Sequence, residues 1–492
     1  MNKEILIAAG VLLSAGGKTV AEKTPPNILF ICVDDLRPQT GCYGNDQMIT
    51  PNMDRLAGTG VLFERAYCQF AVCGPSRASL LTGMYPEHNR VQDNVINFRT
   101  TVPDAVSLPQ YFKNNGYWTA GVGKIFHHGN HNVDPASWSN WMQFPGRGYF
   151  LPENIAAQKQ KQQDVAAREA AGEKLTPHQK FVFTIGGFSE AANADELNYP
   201  DGEIATVAIN ALRERADSDQ PFFLAVGFLK PHLPFIVPEK YWDLYDREKL
   251  ALPVNDRFPA GAPAWHTHDS FELRTYSDVP RNGDFDEALI RRAVHGYYAA
   301  CSFIDAQIGR VLNELAALGL EENTVVVLFG DHGFHLDDNG IIGKDTNFEP
   351  AAHAPLILRV PGGRAGDRVH TPVELVDIFP TLCNAAGIAV PAQCDGKNLI
   401  DVPANDDVAA FTMNRRNWSH PYAGYSMRTD RYRYVRWLDS ENKTAGEELY
   451  DYTLSPYEIK NLAESSEYKT ALSQLRQRFD KESPVKKFGH IQ

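Results

Sequence analysis

The side chains best suited to chemistry in this 492-residue chain follow four short apolar segments. The segments cover residues 27–33, 118–122, 222–228 and 324–329, and their length and continuous apolar character are typical of strands buried in a parallel sheet. They are followed by Asp34-Asp35, by Lys124 with His127, by Lys230 with His232, and by Asp331-His332. Because the carboxyl ends of parallel strands meet at one edge of a sheet, we expect these groups to form one site.

The carboxylates in this set predict a bound cation. Asp34, Asp35 and Asp331 would offer oxygen ligands, which calcium and magnesium prefer over softer donors. Such a cation would polarise the oxygens of a sulfate or phosphate ester. The donors that could surround the rest of a tetrahedral anion are Arg77, Lys124, His127, His232 and Lys344. Each of these alone is more often a solvated surface group, but their joint placement favours ester chemistry.

Residues 73–83, CGPSRASLLTG, form a second chemical feature. Pro75 suits the first turn of a helix, so the stretch predicts a turn that opens a helix. Cys73 would then lie near unpaired backbone N–H groups and beside Arg77, a setting that suits an anionic reaction centre. A small buried thiol that packs the start of the helix is the alternative.

These motifs together resemble those of the type I sulfatases. The string Cys73-Gly74-Pro75-Ser76-Arg77, followed by Leu81-Thr82-Gly83, is similar to the signature in which that family oxidises the cysteine to formylglycine. The similarity runs from Asn27 to Asn461. It implies an alkaline-phosphatase-like fold, one calcium ion per chain and a partner enzyme that generates the formylglycine. The metal residues implied by the resemblance are Asp34, Asp35, Asp331 and His332, with position 73.

The resemblance also implies a mechanism. Two hydroxyls of a hydrated aldehyde replace the thiol: one attacks sulfur, and the other later expels sulfate. By similarity, Arg77 and Lys124 hold the hydrated aldehyde, and His127 is the base for the elimination. His232 donates a proton to the leaving alcohol, and it contacts the sulfate together with Lys124 and Lys344.

Further phrases resemble the branch of the family that removes the 2-O-sulfate of iduronate and other uronates. They are VDDLRP at 33–38, GKIFH at 123–127, LAVGFLKPHLPF at 224–235 and GYSMRTDRYRY at 424–434. The segment before Lys344 departs from the family pattern at Asp337-Asp338 and Ile342. The implied substrate is a sulfated mono- or disaccharide from glycosaminoglycan breakdown, with a saturated or unsaturated uronate. Its carboxylate needs a cation, for which the candidates are Arg99, His335, Arg415 and Arg416.

Other functions remain open from the sequence. One is a sulfatase for another sugar position, and another is a phosphatase, phosphodiesterase or phosphonate hydrolase of the same superfamily. The third is a glycan-binding protein that keeps Cys73 unmodified. Two zinc ions per chain would favour the phosphatase, phosphodiesterase or phosphonate hydrolase, and an unmodified cysteine would favour the glycan-binding protein.

The elements that must position these residues alternate between strand and helix. This alternation predicts an α/β fold, a doubly wound mixed sheet sandwiched by helices. Helices are expected at residues 158–173, 203–215 and 286–318, whereas residues 238–280 read as extended loop. A smaller α+β region should follow, with an antiparallel strand pair in 424–437 that turns at Thr429-Asp430 and a helix at 466–481. We divide the chain into residues 1–22, a catalytic domain at 25–395 and a C-terminal subdomain at 396–492.

Composition limits the remaining classes. The net charge of −13 argues against a nucleic-acid binder. Residues 1–22 resemble a signal peptide, with an apolar stretch too short to span a membrane. We therefore expect export, to the periplasm or medium in a bacterium or to the lysosome in an animal. Of seven cysteines, Cys383 and Cys394 are the best candidates for a disulfide.

Overall fold

The computed structural model describes residues 25–127, 133–146, 148–403, 407–416 and 422–489. The predicted signal peptide at 1–22 lies outside the described residues. Within them, no helix is long and apolar enough to cross a membrane.

A nine-stranded mixed sheet forms the centre of the larger part. Its strands are β1 (Asn27–Val33), β2 (Val61–Tyr67), β3 (Trp118–Gly123), β4 (Asn140–Trp141), β6 (Phe222–Phe228), β8 (Thr324–Gly330), β11 (His353–Arg359), β12 (Asp367–Val369) and β13 (Val373–Glu374). The order is β12-β2-β11-β8-β1-β6-β3-β4, and β13 pairs with β2. Strands β8, β1, β6 and β3 are parallel, whereas β11 runs antiparallel to β8 and β2. This arrangement confirms the predicted mixed sheet.

Helices cover both faces of this sheet, which explains why its central strands are apolar throughout. In β1, Leu29 and Ile31 pack into one buried cluster, and Phe30 and Cys32 pack into the other. The first cluster includes residues of α8 (Pro200–Arg215) and α10 (Glu287–Ala317), and the second includes residues of α2 (Cys73–Thr82), α5 (Leu108–Asn114) and α12 (Ile378–Ala385). The helices are α1 (Pro51–Thr59), α2 (Cys73–Thr82), α3 (Pro86–Asn89), α4 (Phe98–Thr101), α5 (Leu108–Asn114), α6 (Pro152–Ala170), α7 (Pro177–Thr184), α8 (Pro200–Arg215), α9 (Glu239–Trp242), α10 (Glu287–Ala317), α11 (Glu349–Ala352), α12 (Ile378–Ala385), α13 (Lys469–Glu482) and α14 (Pro484–Phe488).

A second sheet, antiparallel and four-stranded, follows in the chain. Its strands are β14 (Ala410–Arg416), β15 (Tyr422–Arg428), β16 (Tyr432–Leu438) and β17 (Thr444–Asp451). Strands β15 and β16 pair across a turn in which the Thr429 N–H donates to the Tyr432 carbonyl, which confirms the predicted hairpin. Apolar residues of α13 pack against this sheet. The proposed domain boundary at 395/396 remains a prediction.

Two small ribbons complete the fold. Strands β5 (Ser189–Ala192) and β7 (Phe235–Pro238) pair in parallel, and β9 (His335–Leu336) pairs antiparallel with β10 (Ile342–Gly343). Residues 238–280, predicted as extended loop, contain the one-turn helix α9 (Glu239–Trp242) and otherwise short 3-10 turns.

The expected disulfide does not form, because all seven cysteines carry free thiols. Cys383 is buried in α12. The Cys394 sulfur instead packs against Gly83, where an added Cβ would lie 2.6 Å from it.

Candidate active site

The register of the parallel strands brings the predicted residues to one edge of the sheet. Val33 is paired with Phe228 of β6 on one side and with Gly330 of β8 on the other. Gly123 of β3 is paired with Gly227 of β6. The chain segments that begin at Asp34, Lys124, Leu229 and Asp331 therefore leave the sheet side by side, and the expectation of a shared site holds.

The turn after β3 needs a glycine. Gly123 has a φ of +80°, and a Cβ there would lie 2.0 Å from the Gly227 carbonyl oxygen. This close approach lets the Lys124 N–H donate to the same oxygen at 2.9 Å. The bond fixes the backbone from which the Lys124 side chain extends.

Arg77 joins two of the three carboxylates. It lies in the second turn of α2 and is 2% exposed. Its Nη2 is 3.0 Å from Asp34 Oδ1, and its Nε is 2.8 Å from Asp331 Oδ2. Burial alone would lower the pKa of Arg77, but Asp331 and other nearby negative groups raise it well above its ordinary value. The guanidinium is therefore a permanent positive charge inside the site.

Two lysines neutralise the remaining carboxylate oxygens. Lys124 Nζ is 2.5 Å from Asp34 Oδ2, and Lys344 Nζ is 2.8 and 2.7 Å from the two oxygens of Asp35. Burial would raise the pKa of Asp34, but Lys124 and other nearby cations hold it well below its usual range. Asp34 is thus ionised although it is buried, as a metal ligand requires.

Asp35 has an unusual backbone for a residue with a side chain, with a φ of +59°. Its N–H donates to Asp331 Oδ1 at 3.0 Å, and its carbonyl accepts from the Tyr297 hydroxyl at 2.7 Å. These bonds hold the left-handed conformation and aim the Asp35 carboxylate towards Cys73 and Lys344.

Cys73 is the first residue of α2 and is 1% exposed. Its Sγ lies 3.2 Å from His332 Nε2 and 3.7 Å from Asp35 Oδ1. Burial, and then the charge of Asp34, raise the pKa of the thiol well above its ordinary value. Without a bound cation the setting therefore does not favour an anionic sulfur, and the anionic reaction centre expected at this helix start stays a prediction.

The surroundings of Cys73 fit a hard cation. Ligand atoms of Asp34, Asp35, Cys73 and His232 lie within 4.8 Å of one another, and so do those of Cys73, Asp331 and His332. His332 bonds the Gly333 carbonyl through Nδ1 at 2.8 Å, which leaves Nε2 facing the site. Three buried carboxylates around one position give an oxygen-rich donor set, the type that calcium and magnesium bind.

His232 and Lys344 meet at a residue that the sequence did not reveal. His232 Nε2 lies 3.2 Å from Glu272 Oε1, and Lys344 Nζ lies 3.2 Å from Glu272 Oε2. Burial would raise the pKa of Glu272, but Lys344 and His232 hold it far below its ordinary range. Glu272 comes from the loop between α9 and α10, where no periodicity or motif marks it.

The other predicted catalytic groups come from the same loops at the edge of the sheet. Burial would lower the pKa of His232, but Asp35 and other carboxylates raise it. His127 is half-buried in the turn that follows Lys124. Lys230 donates to the His232 carbonyl at 2.8 Å, and burial lowers its pKa.

Three of the four candidate cations for a substrate carboxylate have partners within the chain. Arg99 is bidentate with Asp134 at 2.9 and 2.8 Å. His335 is buried, with its nitrogens 2.9 Å from the Asp338 carbonyl and from Thr346 Oγ1, and burial lowers its pKa to about 4. Both hold loops together instead of facing a ligand.

Arg416 is likewise committed within the chain. It donates to the carbonyls of Trp265 and His266 and pairs with Asp345 at 3.0 Å. Arg415, its neighbour on β14, is half-buried and contacts the Gln92 side-chain oxygen. Arg415 therefore remains as the candidate.

Known families match almost the whole chain. A family model described as Sulfatase matches residues 26–388, and one described as N-sulphoglucosamine sulphohydrolase, C-terminal, matches residues 337–484. Among curated proteins, Iduronate 2-sulfatase of Homo sapiens is 32% identical over 507 residues, which cover 88% of this chain and 89% of that protein.

Solved structures share the fold. One in complex with its substrate D-glucosamine-2-N,6-O-disulfate superposes with a TM-score of 0.72 at 24% identity and covers 94% of this chain and 98% of that one. A phosphonate monoester hydrolase from Silicibacter pomeroyi has a TM-score of 0.71 at 21% identity, with 93% and 94% covered. These likenesses establish the fold alone, and the choice of ester depends on the residues of the site.

Proposed function

The chain belongs to the sulfatase family, and from this premise we propose that it removes the 2-O-sulfate of a uronic acid in oligosaccharides derived from glycosaminoglycans. Hydrolysis of a sulfuric ester is the activity of the family. The uronate specificity is the proposal, and its support is the similarity to Iduronate 2-sulfatase over most of both chains. We take saturated and unsaturated uronates as equally suitable substrates.

One observation carries the chemical part of the proposal: Cys73 lies buried among Asp34, Asp35, Asp331 and His332, and Lys124 and Lys344 pair with Asp34 and Asp35. We propose that Cys73 is oxidised to formylglycine, whose hydrated aldehyde offers oxygen nucleophiles where the thiol is neutral. We propose calcium as the metal, held by Asp34, Asp35, Asp331 and His332, where it would acidify a hydroxyl at position 73 and stabilise charge on the sulfate.

The chain's own residues then have distinct tasks. Arg77 spaces Asp34 and Asp331 through its two ion pairs, so the carboxylates stay in place when charge changes beside them. His232 turns Nε2 to the pocket because Nδ1 is 2.6 Å from the Leu233 carbonyl, and we propose that Nε2 protonates the leaving alcohol. His127 is proposed as the base for release of sulfate, with Lys124 and Lys344 as sulfate contacts.

Export and maturation belong to the same proposal. Residues 1–22 would direct the chain to the periplasm, the medium or the lysosome, and a formylglycine-generating enzyme would act on Cys73. The substrate would be a sulfated mono- or disaccharide whose carboxylate is bound by Arg415, because Arg99 and Arg416 pair with carboxylates of the chain and His335 is buried.

The decisive test of the chemistry is Cys73→Ala. Turnover of a sulfated sugar should disappear while the far-UV circular dichroism stays unchanged, and Cys42→Ala, at a half-buried cysteine whose sulfur contacts Thr40, should keep full activity. Mass spectrometry of the wild-type peptide that contains position 73 should give the mass of formylglycine. Turnover by purified Cys73→Ala would refute the assignment.

A substrate panel tests the specificity. Unsaturated 2-O-sulfated heparin and chondroitin disaccharides should be hydrolysed with higher kcat/KM than 6-O-sulfated glucosamine or a phosphonate monoester. A preference for the glucosamine sulfate would favour another sugar position. A preference for the phosphonate would favour the hydrolase alternative that the shared fold keeps open.

A further inference from the structure

Glu272 makes the contacts that a bound sulfate would make. Its two oxygens lie 3.2 Å from His232 Nε2 and 3.2 Å from Lys344 Nζ, the two groups proposed to receive the sulfate. We propose that Glu272 is an internal occupant of the sulfate pocket, which the sulfate group of a substrate must displace. This inference rests on the proposed function, because it assumes that His232 and Lys344 bind sulfate.

The geometry indicates that Glu272 and a sulfate group would compete for the same two cations. A carboxylate and a sulfate both present two oxygens at similar spacing, so one anion at a time can bridge these two cations. Lys344 Nζ also donates to both carboxylate oxygens of Asp35, and His232 Nε2 lies 3.9 Å from one of them. An entering sulfate group would therefore meet two negatively charged carboxylates, and Asp35 is the one that the fold holds in place.

The segment that carries Glu272 allows the side chain to leave. Ser270 is its anchor: it is buried, its φ is +61°, and its Oγ accepts from the Ile342 N–H at 2.9 Å. The next two residues reach solvent, with Phe271 47% exposed and the Glu272 side chain 27% exposed, before Leu273 is buried again. A rotamer change towards solvent would vacate the pocket without moving Ser270.

A binding measurement with inorganic sulfate isolates this role from turnover. Titration calorimetry on the chain with unmodified Cys73, at constant ionic strength, gives the Kd of sulfate. Glu272→Gln keeps the shape and removes the charge, so sulfate should bind about fivefold more tightly, equivalent to about 1 kcal/mol. Asp269→Asn makes the same charge change at an exposed position three residues away, and its Kd should match the wild type.

Two further variants separate the two proposals. Lys344→Met and His232→Gln should each weaken sulfate binding if these residues form the pocket. If neither does, the proposed sulfate pocket fails, and the role of Glu272 fails with it. If both weaken binding while Glu272→Gln binds sulfate no more tightly than the wild type, only the internal occupant is refuted. In the matured enzyme, product inhibition by sulfate should strengthen in Glu272→Gln by the same factor.

Discussion

Replacement of Arg433 by methionine should be among the most destabilising single changes in this chain. Arg433 lies on β16 with its side chain fully buried. Its guanidinium pairs with Glu349 of α11, lies 3.2 Å from Glu458 Oε1 and donates to the Asn347 carbonyl at 2.6 Å. It therefore joins the four-stranded sheet to the helix that precedes β11.

The magnitude follows from what the change leaves behind. Removal of one partner from a buried ion pair costs about 3–5 kcal/mol, because the other charge stays buried without compensation. In the variant both glutamates would still have one partner. Glu349 pairs with Arg428 at 3.2 Å, and Glu458 accepts from the Tyr452 hydroxyl at 2.6 Å. Burial already raises the pKa of Glu458, so it can also take up a proton. We therefore expect a loss of about 3 kcal/mol in Arg433→Met, at the lower end of that range.

Urea unfolding, followed by tryptophan fluorescence and by far-UV circular dichroism, measures this loss. The control is Arg476→Met, which removes a half-exposed guanidinium from Glu447, where we expect about 1 kcal/mol or less. The loss in Arg433→Met should also grow as the pH rises, because protonated Glu458 needs no cation. If Arg433→Met is no less stable than Arg476→Met, the buried pair contributes little and the reasoning is refuted.

Two further predictions concern acidity and metal. Burial first, and Asp377 second, raise the pKa of Glu374 to about 8. The stability that its neutral form contributes is therefore fully present below its ordinary pKa of 4.5 and is lost as the pH rises through about 8. The urea midpoint of the wild type should fall over that range, that of Glu374→Gln should fall less, and equal slopes would contradict this. A chelator should abolish turnover of the matured enzyme and lower its Tm by several degrees, calcium should restore both, and an unchanged Tm would argue against the proposed metal site.

Much of the fold was predictable because its central strands are buried on both faces. Strands β1 and β6 occupy the predicted residues 27–33 and 222–228. A strand covered by helices on both sides needs apolar residues at every position. Its sequence is therefore continuously apolar, whereas a strand buried on one face alternates apolar and polar residues. The charged residues after each run then followed from the rule that parallel strands end at the same edge.

The limits of prediction appear where tertiary contacts decide a residue's role. Charge and loop position favour Arg99 and His335 as cations for a ligand. In the fold, however, Arg99 bonds Asp134, Gln110 and the Ala105 carbonyl, and His335 bonds Thr346 and the Asp338 carbonyl. Glu272 was missed for the converse reason: an acidic residue in a long loop has no sequence pattern, and only the fold brings it to His232. Ribbons such as β9–β10, with two residues in each strand, are likewise too short to leave a periodic signal.

The burial of Cys73 determines whether its proposed oxidation can follow folding or must precede it. All ten residues of α2 are buried, and Pro75 and Arg77 are enclosed with the cysteine. A modifying enzyme must bind the residues on both sides of its target, and in the folded protein the residues of α2 that follow Cys73 are buried. The proposed oxidation therefore has to take place on the newly made chain, before the sheet closes over α2. A molecule that folds first is committed to remain a thiol form, so the active fraction of any preparation is fixed at synthesis.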